Sequence, residues 1–327
     1  MLSTQDRKVN RNGQPHPLVL FPGSLGDFLC ALPALRALAD STAEGMVELV
    51  ARGELLGIIP RLPFVRRALS LESGIFAQLF SRPGAGGEEG QFFPFPVSEV
   101  FSWFGSAHPE VGANLRRIAP GRVRSFAFFT GQEDCHAGAY YLRCVGAGEL
   151  RAPSLVLGEE ERRWLDGYWR LHGWSPSSRV LIVHPGSGGQ KKRWAPEGFR
   201  RVCQWWRREK KGGVLLLLGP AEEREAERWR QTGGKVESTL SLLQVAALLS
   251  RADLYLGNDS GVSHLAGAVG ARGIVLFGPT RPLQWRPLGG ALSVIHNVSY
   301  RATLPHVPGI SLTEVPCEEV VTSLARL

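Results

Sequence analysis

Short apolar runs bounded by Gly and Pro alternate along this chain with longer stretches in which apolar residues recur every three to four positions. The first run, residues 18–21, leads into Pro22-Gly23-Ser24-Leu25-Gly26-Asp27 and then an apolar-periodic stretch to Ala39, which predicts strand, Gly-rich turn and helix. Runs at 47–50 and 122–129 predict further strands, and 35–39 and 112–118 predict helix. After Pro153 the pattern restarts with a charged helix at 159–172, a Ser/Pro turn at 175–178 and a strand at 180–183. Helix 197–210, strand 214–218, helices 221–230 and 241–250, strand 253–256, helix 261–269 and strand 273–277 follow in regular order. Strands alternating with helices specify an α/β fold with a parallel, doubly wound sheet.

A chain of 327 residues exceeds the usual ceiling for one hydrophobic core, so two domains are expected, with a cleft between them. The boundary falls near residue 155: a domain at 1–155, a second at 156–310, and a C-terminal helix at 311–327 free to pack back on the first domain. The strand, Gly loop and helix at 18–39 and again at 180–210 mark two similarly built halves. Residues 81–96 predict a long loop with an apolar tip, either packed against the fold or offered to an acceptor or membrane.

Composition narrows the class. The chain is 43% hydrophobic and 21% charged, as ordinary globular proteins are. Residues 1–17 are polar with no apolar leader core, and the longest apolar runs are strand-sized, so a cytoplasmic protein without a membrane span is expected. Five widely spaced cysteines lack any CxxC or Cys/His spacing, which indicates neither disulfides nor a metal site. A net charge of +8 favours an anionic partner. The basic residues are scattered and organised by no nucleic-acid recognition motif, which leaves a phosphorylated substrate or an acidic membrane surface. Arg61, Arg66, Arg67, Arg116, Arg117, Arg122 and Arg124 suit either acceptor anions or a solvated surface.

In doubly wound sheets ligands bind beyond the carboxyl ends of the strands. The loops there read His184-Pro185-Gly186-Ser187-Gly188-Gly189, Gly219-Pro220-Ala221-Glu222, Gly257-Asn258-Asp259-Ser260-Gly261 and Gly278-Pro279-Thr280-Arg281-Pro282. A helix opening at Ser260-Gly261 offers unpaired N–H groups to a diphosphate; equally, Asp259 or Ser260 would cap any helix. His264, four residues after Ser260, shares its helix face and reaches either an anion or the core. Lys192 suits neutralisation of a leaving diphosphate, or a solvated Lys-Lys-Arg face. Glu222 suits ribose hydroxyls, or the dipole of its helix. Asp27 suits a general base, or an N-cap.

Taken together, these motifs resemble glycosyltransferase family nine, the lipopolysaccharide heptosyltransferase family. The resemblance rests on Gly23 to Asp27 with Ala31-Leu32-Pro33-Ala34-Leu35, His184 to Gly189 with Lys192-Arg193-Trp194, Gly219 to Glu222, and Asn258 to Ala266 leading to Leu276-Phe277-Gly278-Pro279-Thr280. Ala195 stands where family members commonly have Pro. The resemblance implies a GT-B fold of two Rossmann-like domains. It also implies inverting transfer, without metal or other cofactor, from a nucleotide sugar such as ADP-heptose to a glycan or glycolipid acceptor. On this resemblance Asp27 is the general base. Lys192, Ser260 and Gly261 hold the diphosphate with His264 in support, Glu222 holds the ribose, Asp259 the sugar, and Ser187 and Gly188 line the donor site. A basic enzyme with a lipid-linked acceptor would sit at the inner face of the inner membrane. An epimerase or hydrolase of similar build would use the same diphosphate site without an acceptor.

Overall fold

The structure, a computed structural model, describes residues 14–80, 92–104, 108–131, 133–220, 222–296, 312 and 315–327. The first half runs β1 (His16–Phe21), α1 (Leu25–Asp40), β2 (Val47–Ala51), β3 (Val65–Ser70), α2 (Gly74–Ala77), β4 (Val97–Ser102), α3 (Pro109–Ile118) and β5 (Val123–Ser125). Its strands are parallel in the order β3-β2-β1-β4-β5. Every residue of β1 and β2 is buried, as strands covered on both faces must be.

Leu18, Leu20, Val50, Val100 and Leu115 form the core here, joined by Phe93 and Phe95. The described tip of the 81–96 loop is therefore packed into the fold, while 81–91 lies outside the described residues. Two arginines considered for acceptor anions are spent locally. Arg67 lies 3.3 Å from the buried carboxylate of Glu48, and Arg66 lies 3.4 Å from that of Glu44.

The second half runs α4 (Ala137–Cys144), α5 (Glu159–Leu171), β6 (Val180–His184), α6 (Pro196–Glu209), β7 (Gly213–Leu217), α7 (Ala226–Arg230), β8 (Lys235–Glu237), α8 (Leu242–Arg251), β9 (Leu254–Asn258), α9 (Gly261–Ala268), β10 (Arg272–Phe277), α10 (Pro282–Trp285), β11 (Ala291–His296) and α11 (Cys317–Arg326). The sheet is parallel in the order β11-β10-β9-β6-β7-β8. From β6 the chain winds outward through β7 to β8, then returns to β9 and winds the other way. The topological switch point thus lies between β6 and β9, where such sheets bind ligands.

The predicted helix over 221–230 is instead a 3-10 turn at Glu223–Glu225 followed by α7, with Glu222 just before it. Trp194, Phe199, Trp206 and Trp229 pack with Leu216, Leu256 and Ile274 in the core. α11 lays Val320 and Leu324 on α6 and β10, within this core.

By its contacts the chain divides into two compact units. One holds the first sheet, with 38–56, 63–128 and the chain up to Pro22. The other holds the second sheet, Phe129–Leu327, together with Gly23–Ala37 and Gly57–Leu62. Most of α1, Asp27 included, therefore belongs to the unit of the second sheet.

Candidate active site

Four loops leave the carboxyl ends of β6, β7, β9 and β10, and side-chain hydrogen bonds knit them together. Asn258 ends β9 fully buried; its Nδ2 donates to the Pro185 carbonyl at 2.8 Å and its Oδ1 accepts the Trp194 N–H at 3.1 Å. Ser187 Oγ donates to the Asp259 carbonyl at 2.7 Å. Gly188 is exposed, and a Cβ there would meet open space.

Asp259 is 6% exposed, and its Oδ2 accepts from Lys192 Nζ at 2.9 Å and from the Thr280 hydroxyl. The Lys-Lys-Arg run is therefore no uniform solvated face, because Lys192 turns inward onto a buried carboxylate. Thr280 was part of the sequence motif without a role; its hydroxyl fixes Asp259. Glu222 is buried as well. Arg193 Nη2 donates to its Oε1 at 2.6 Å, and the Gly219 N–H donates to its Oε2 at 3.1 Å.

Ser260, not Asp259, caps α9: it adopts extended backbone geometry and accepts the Ser263 N–H on its hydroxyl at 3.4 Å. That leaves the first-turn N–H groups of Gly261 and Val262 as those an anion would meet. The glycine at 261 has a second reason. A Cβ there would stand 2.9 Å from Leu25 Cβ and 3.2 Å from the Gly26 nitrogen, so the starts of α1 and α9 abut only because 261 lacks a side chain.

His264 packs on the same contact. Its ring would lie 3.2 Å from a Cβ at Gly26, and its Nδ1 is 3.6 Å from Cys30 Sγ. Burial pushes this imidazole down to about 4, so it is neutral at pH 7 and carries no charge toward an anion. His184 is likewise buried, pushed down to about 4, and 2.8 Å from the Leu217 carbonyl, which makes it a structural residue at the end of β6.

Asp27 is the third residue of α1, not its N-cap. Ser24, just before the helix, donates its N–H at 3.1 Å and its hydroxyl at 2.7 Å to Asp27 Oδ2, the reach-back half of a capping box. Both bonds end on Oδ2. Burial holds this carboxyl above its ordinary value. The Ser24 hydrogen bonds and the charge of Lys192 pull it down, and the charge of Asp259 pushes it further up. One structural unit thus places a carboxylate with a raised pKa, a lysine and a helix start within electrostatic reach of one another.

Among the described residues no three His, Cys, Asp or Glu side chains are grouped to hold a metal ion, and no helix is long and apolar enough to cross a membrane. Residues 165–306 match the sequence model of glycosyltransferase family 9 (heptosyltransferase). Over that stretch the chain is similar to glycosyltransferase family 9. That stretch contains Ser187, Gly188, Lys192, Glu222, Asp259, Ser260, Gly261 and His264, whereas Asp27 precedes it.

Over 126 residues the chain is 29% identical to the lipopolysaccharide core heptosyltransferase OpsX of Haemophilus influenzae; the match spans 36% of this chain and 36% of that protein. The fold is similar over nearly the whole length to a family 9 glycosyl transferase from Veillonella parvula (TM-score 0.75, 18% identity, covering 96% of this chain and 97% of that one). It is similar also to the E. coli ADP-heptose lipopolysaccharide heptosyltransferase II (0.70, 16%, 95% and 98%) and to E. coli heptosyltransferase WaaC with ADP (0.65, 17%, 95% and 99%). The two Rossmann-like parallel sheets have the GT-B fold of these structures.

Proposed function

We propose that this chain is a family 9 glycosyltransferase that transfers a heptose from ADP-heptose to a hydroxyl of a lipopolysaccharide core or other cell-surface glycan, with inversion and without a metal. The observation that carries the reading is Asp27: a half-buried carboxylate, raised above its ordinary value, in one compact unit with Lys192, Asp259 and the start of α9. A base is most effective when its pKa approaches the working pH, and burial moves Asp27 that way. The relatives' own descriptions, with ADP-heptose and lipopolysaccharide core in them, support the choice of donor and acceptor.

In this mechanism the acceptor hydroxyl gives its proton to Asp27 Oδ1 while its oxygen attacks the anomeric carbon. The carbon–oxygen bond to the β-phosphate breaks on the opposite face, and ADP departs with the electron pair. Its growing charge is met by Lys192 and by the N–H groups of Gly261 and Val262, which do the work a divalent ion does elsewhere. Asp259 keeps Lys192 in place through Oδ2 and meets the sugar through Oδ1. Ser187 and Gly188 line the donor site, and Glu222 meets the ribose. His264 supports the diphosphate indirectly, by holding the start of α9 against α1.

A thermal-shift panel of ADP-, UDP-, GDP- and CMP-sugars tests the donor assignment. The largest shift is expected with the ADP-sugar, and a clear preference for a UDP-sugar would move the assignment elsewhere. The basic surface further suggests electrostatic association with the inner face of the inner membrane. Flotation with anionic vesicles is expected at low salt and lost in moderate salt; no flotation at low salt would rule it out.

A further inference from the structure

Glu222 follows β7, the second strand counted from the switch point, the place where acidic residues of Rossmann folds bind ribose hydroxyls. Its carboxylate is buried and hemmed in: a Cβ at Gly186 would stand 2.5 Å from Oε2, and one at Gly219 would stand 2.9 Å away. Such a group can present lone pairs to a ligand only if something else fixes its rotamer and balances its charge.

Arg193 does both. Its Nη2 bridges Glu222 Oε1 at 2.6 Å and the Ser187 carbonyl at 3.2 Å, tying the loop after β7 to the loop after β6. Its neighbour Trp194 is tied to Asn258 of β9 through the backbone. Arg193 Nε is buried without a hydrogen-bond partner, a cost that filling space alone would not require.

We propose that Arg193 is the positioning residue for nucleoside recognition, holding Glu222 so that its remaining lone pairs face the vicinal hydroxyls of the donor ribose. The inference rests on the reading of Glu222 as the ribose acceptor. Lysine is no substitute, since the guanidinium sets Nη2 between the Glu222 carboxylate and the Ser187 carbonyl while Nη1 lies 3.8 Å from Glu225, a spread of nitrogens that a single ammonium lacks.

Calorimetric titration of the full chain with ADP, 2′-deoxyADP and inorganic diphosphate separates the possibilities. Wild type is expected to favour ADP over 2′-deoxyADP by about tenfold, the worth of a hydrogen bond to a charged acceptor. Arg193→Met is expected to weaken ADP by about tenfold while changing 2′-deoxyADP and diphosphate by less than about twofold, so that the ratio collapses toward one. Glu222→Gln should erase the same discrimination, and the double variant should erase no more. In turnover, donor KM should rise with kcat nearly unchanged.

Two results overturn the role of Arg193: an intact ADP to 2′-deoxyADP ratio in Arg193→Met, or an equal loss for all three ligands including diphosphate. Arg193→Lys serves as the second variant if Arg193→Met does not fold, with the same collapse expected and the same refutations. Absence of discrimination in wild type would instead refute the ribose reading of Glu222, a distinct outcome.

Discussion

Replacing Asp27 by Asn separates its two structural duties. Asn keeps an oxygen able to accept the N–H and hydroxyl of Ser24, so the start of α1 retains its hydrogen bonds. What is lost is the negative charge. A charge near a helix N-terminus is worth roughly 0.3–1 kcal/mol, but burial holds this carboxyl above its ordinary value, which means the folded state disfavours its ionised form. The stability it contributes is present below its unfolded value and is lost as pH rises through the raised folded value. Asp27→Asn removes that loss, so the variant should be as stable as wild type at pH 7 or more so, with the difference fading at acid pH.

The rate should move the other way. General-base catalysis supplies about 10²–10⁴-fold, and Asn cannot accept the proton, so kcat should fall by that factor, roughly 3–5 kcal/mol of barrier. The acid limb of the wild-type profile of kcat/KM, with its midpoint above the ordinary Asp value, should disappear. Thermal melts at pH 4 and pH 7 together with steady-state turnover check both halves. A variant that loses about 1 kcal/mol of stability yet turns over within a few-fold of wild type would show Asp27 to be a helix-end residue and nothing more.

Other consequences are more local. Gly261→Ala puts a methyl 2.9 Å from Leu25 Cβ, and overpacking of that kind should cost on the order of 1–3 kcal/mol, seen as a lowered Tm, with larger damage to turnover than an equally destabilising change elsewhere in the core. His264 and His184, both pushed down to about 4, stay neutral when the unfolded chain already binds protons, so stability should fall as pH drops from about 6.5 toward 4. His184→Asn should flatten that fall, and an unchanged slope would contradict it. Cys30 and Cys203 are buried with thiols pushed upward, whereas Cys135 and Cys144 are partly exposed. Iodoacetamide on the folded protein should therefore mark Cys135 and Cys144 and spare the other two by mass spectrometry.

The second half of the chain was the more legible because its strands are central and buried on both faces. The strands read at 180–183, 214–218 and 253–256 carry apolar runs (VLIV, VLLLL, LYL) that end at or just before a Gly or Pro. In the first half, β3 reads VRRALS, and its arginines hide a strand that tolerates them because Glu44 and Glu48 neutralise both. Edge strands β5 and β8 are three residues long, too short for periodicity to register.

The site was legible as residue types but not as partners. Lys192 and Asp259 were both read as donor contacts, yet nothing in a spacing of 67 residues shows that they pair. The Arg193–Glu222, Thr280–Asp259 and Cys30–His264 contacts were invisible for the same reason. Gly261 was read as room for a ligand, and the structure adds that part of that room is filled by the start of α1.

The most direct test of the central claim is ADP release from ADP-heptose, followed with and without a heptose-accepting lipopolysaccharide core. The account predicts ADP formation by the wild-type chain only when both are present, in equal amount to heptosylated acceptor. ADP released at the same rate without acceptor would contradict it, because the site would then be hydrolysing its donor instead of transferring a sugar.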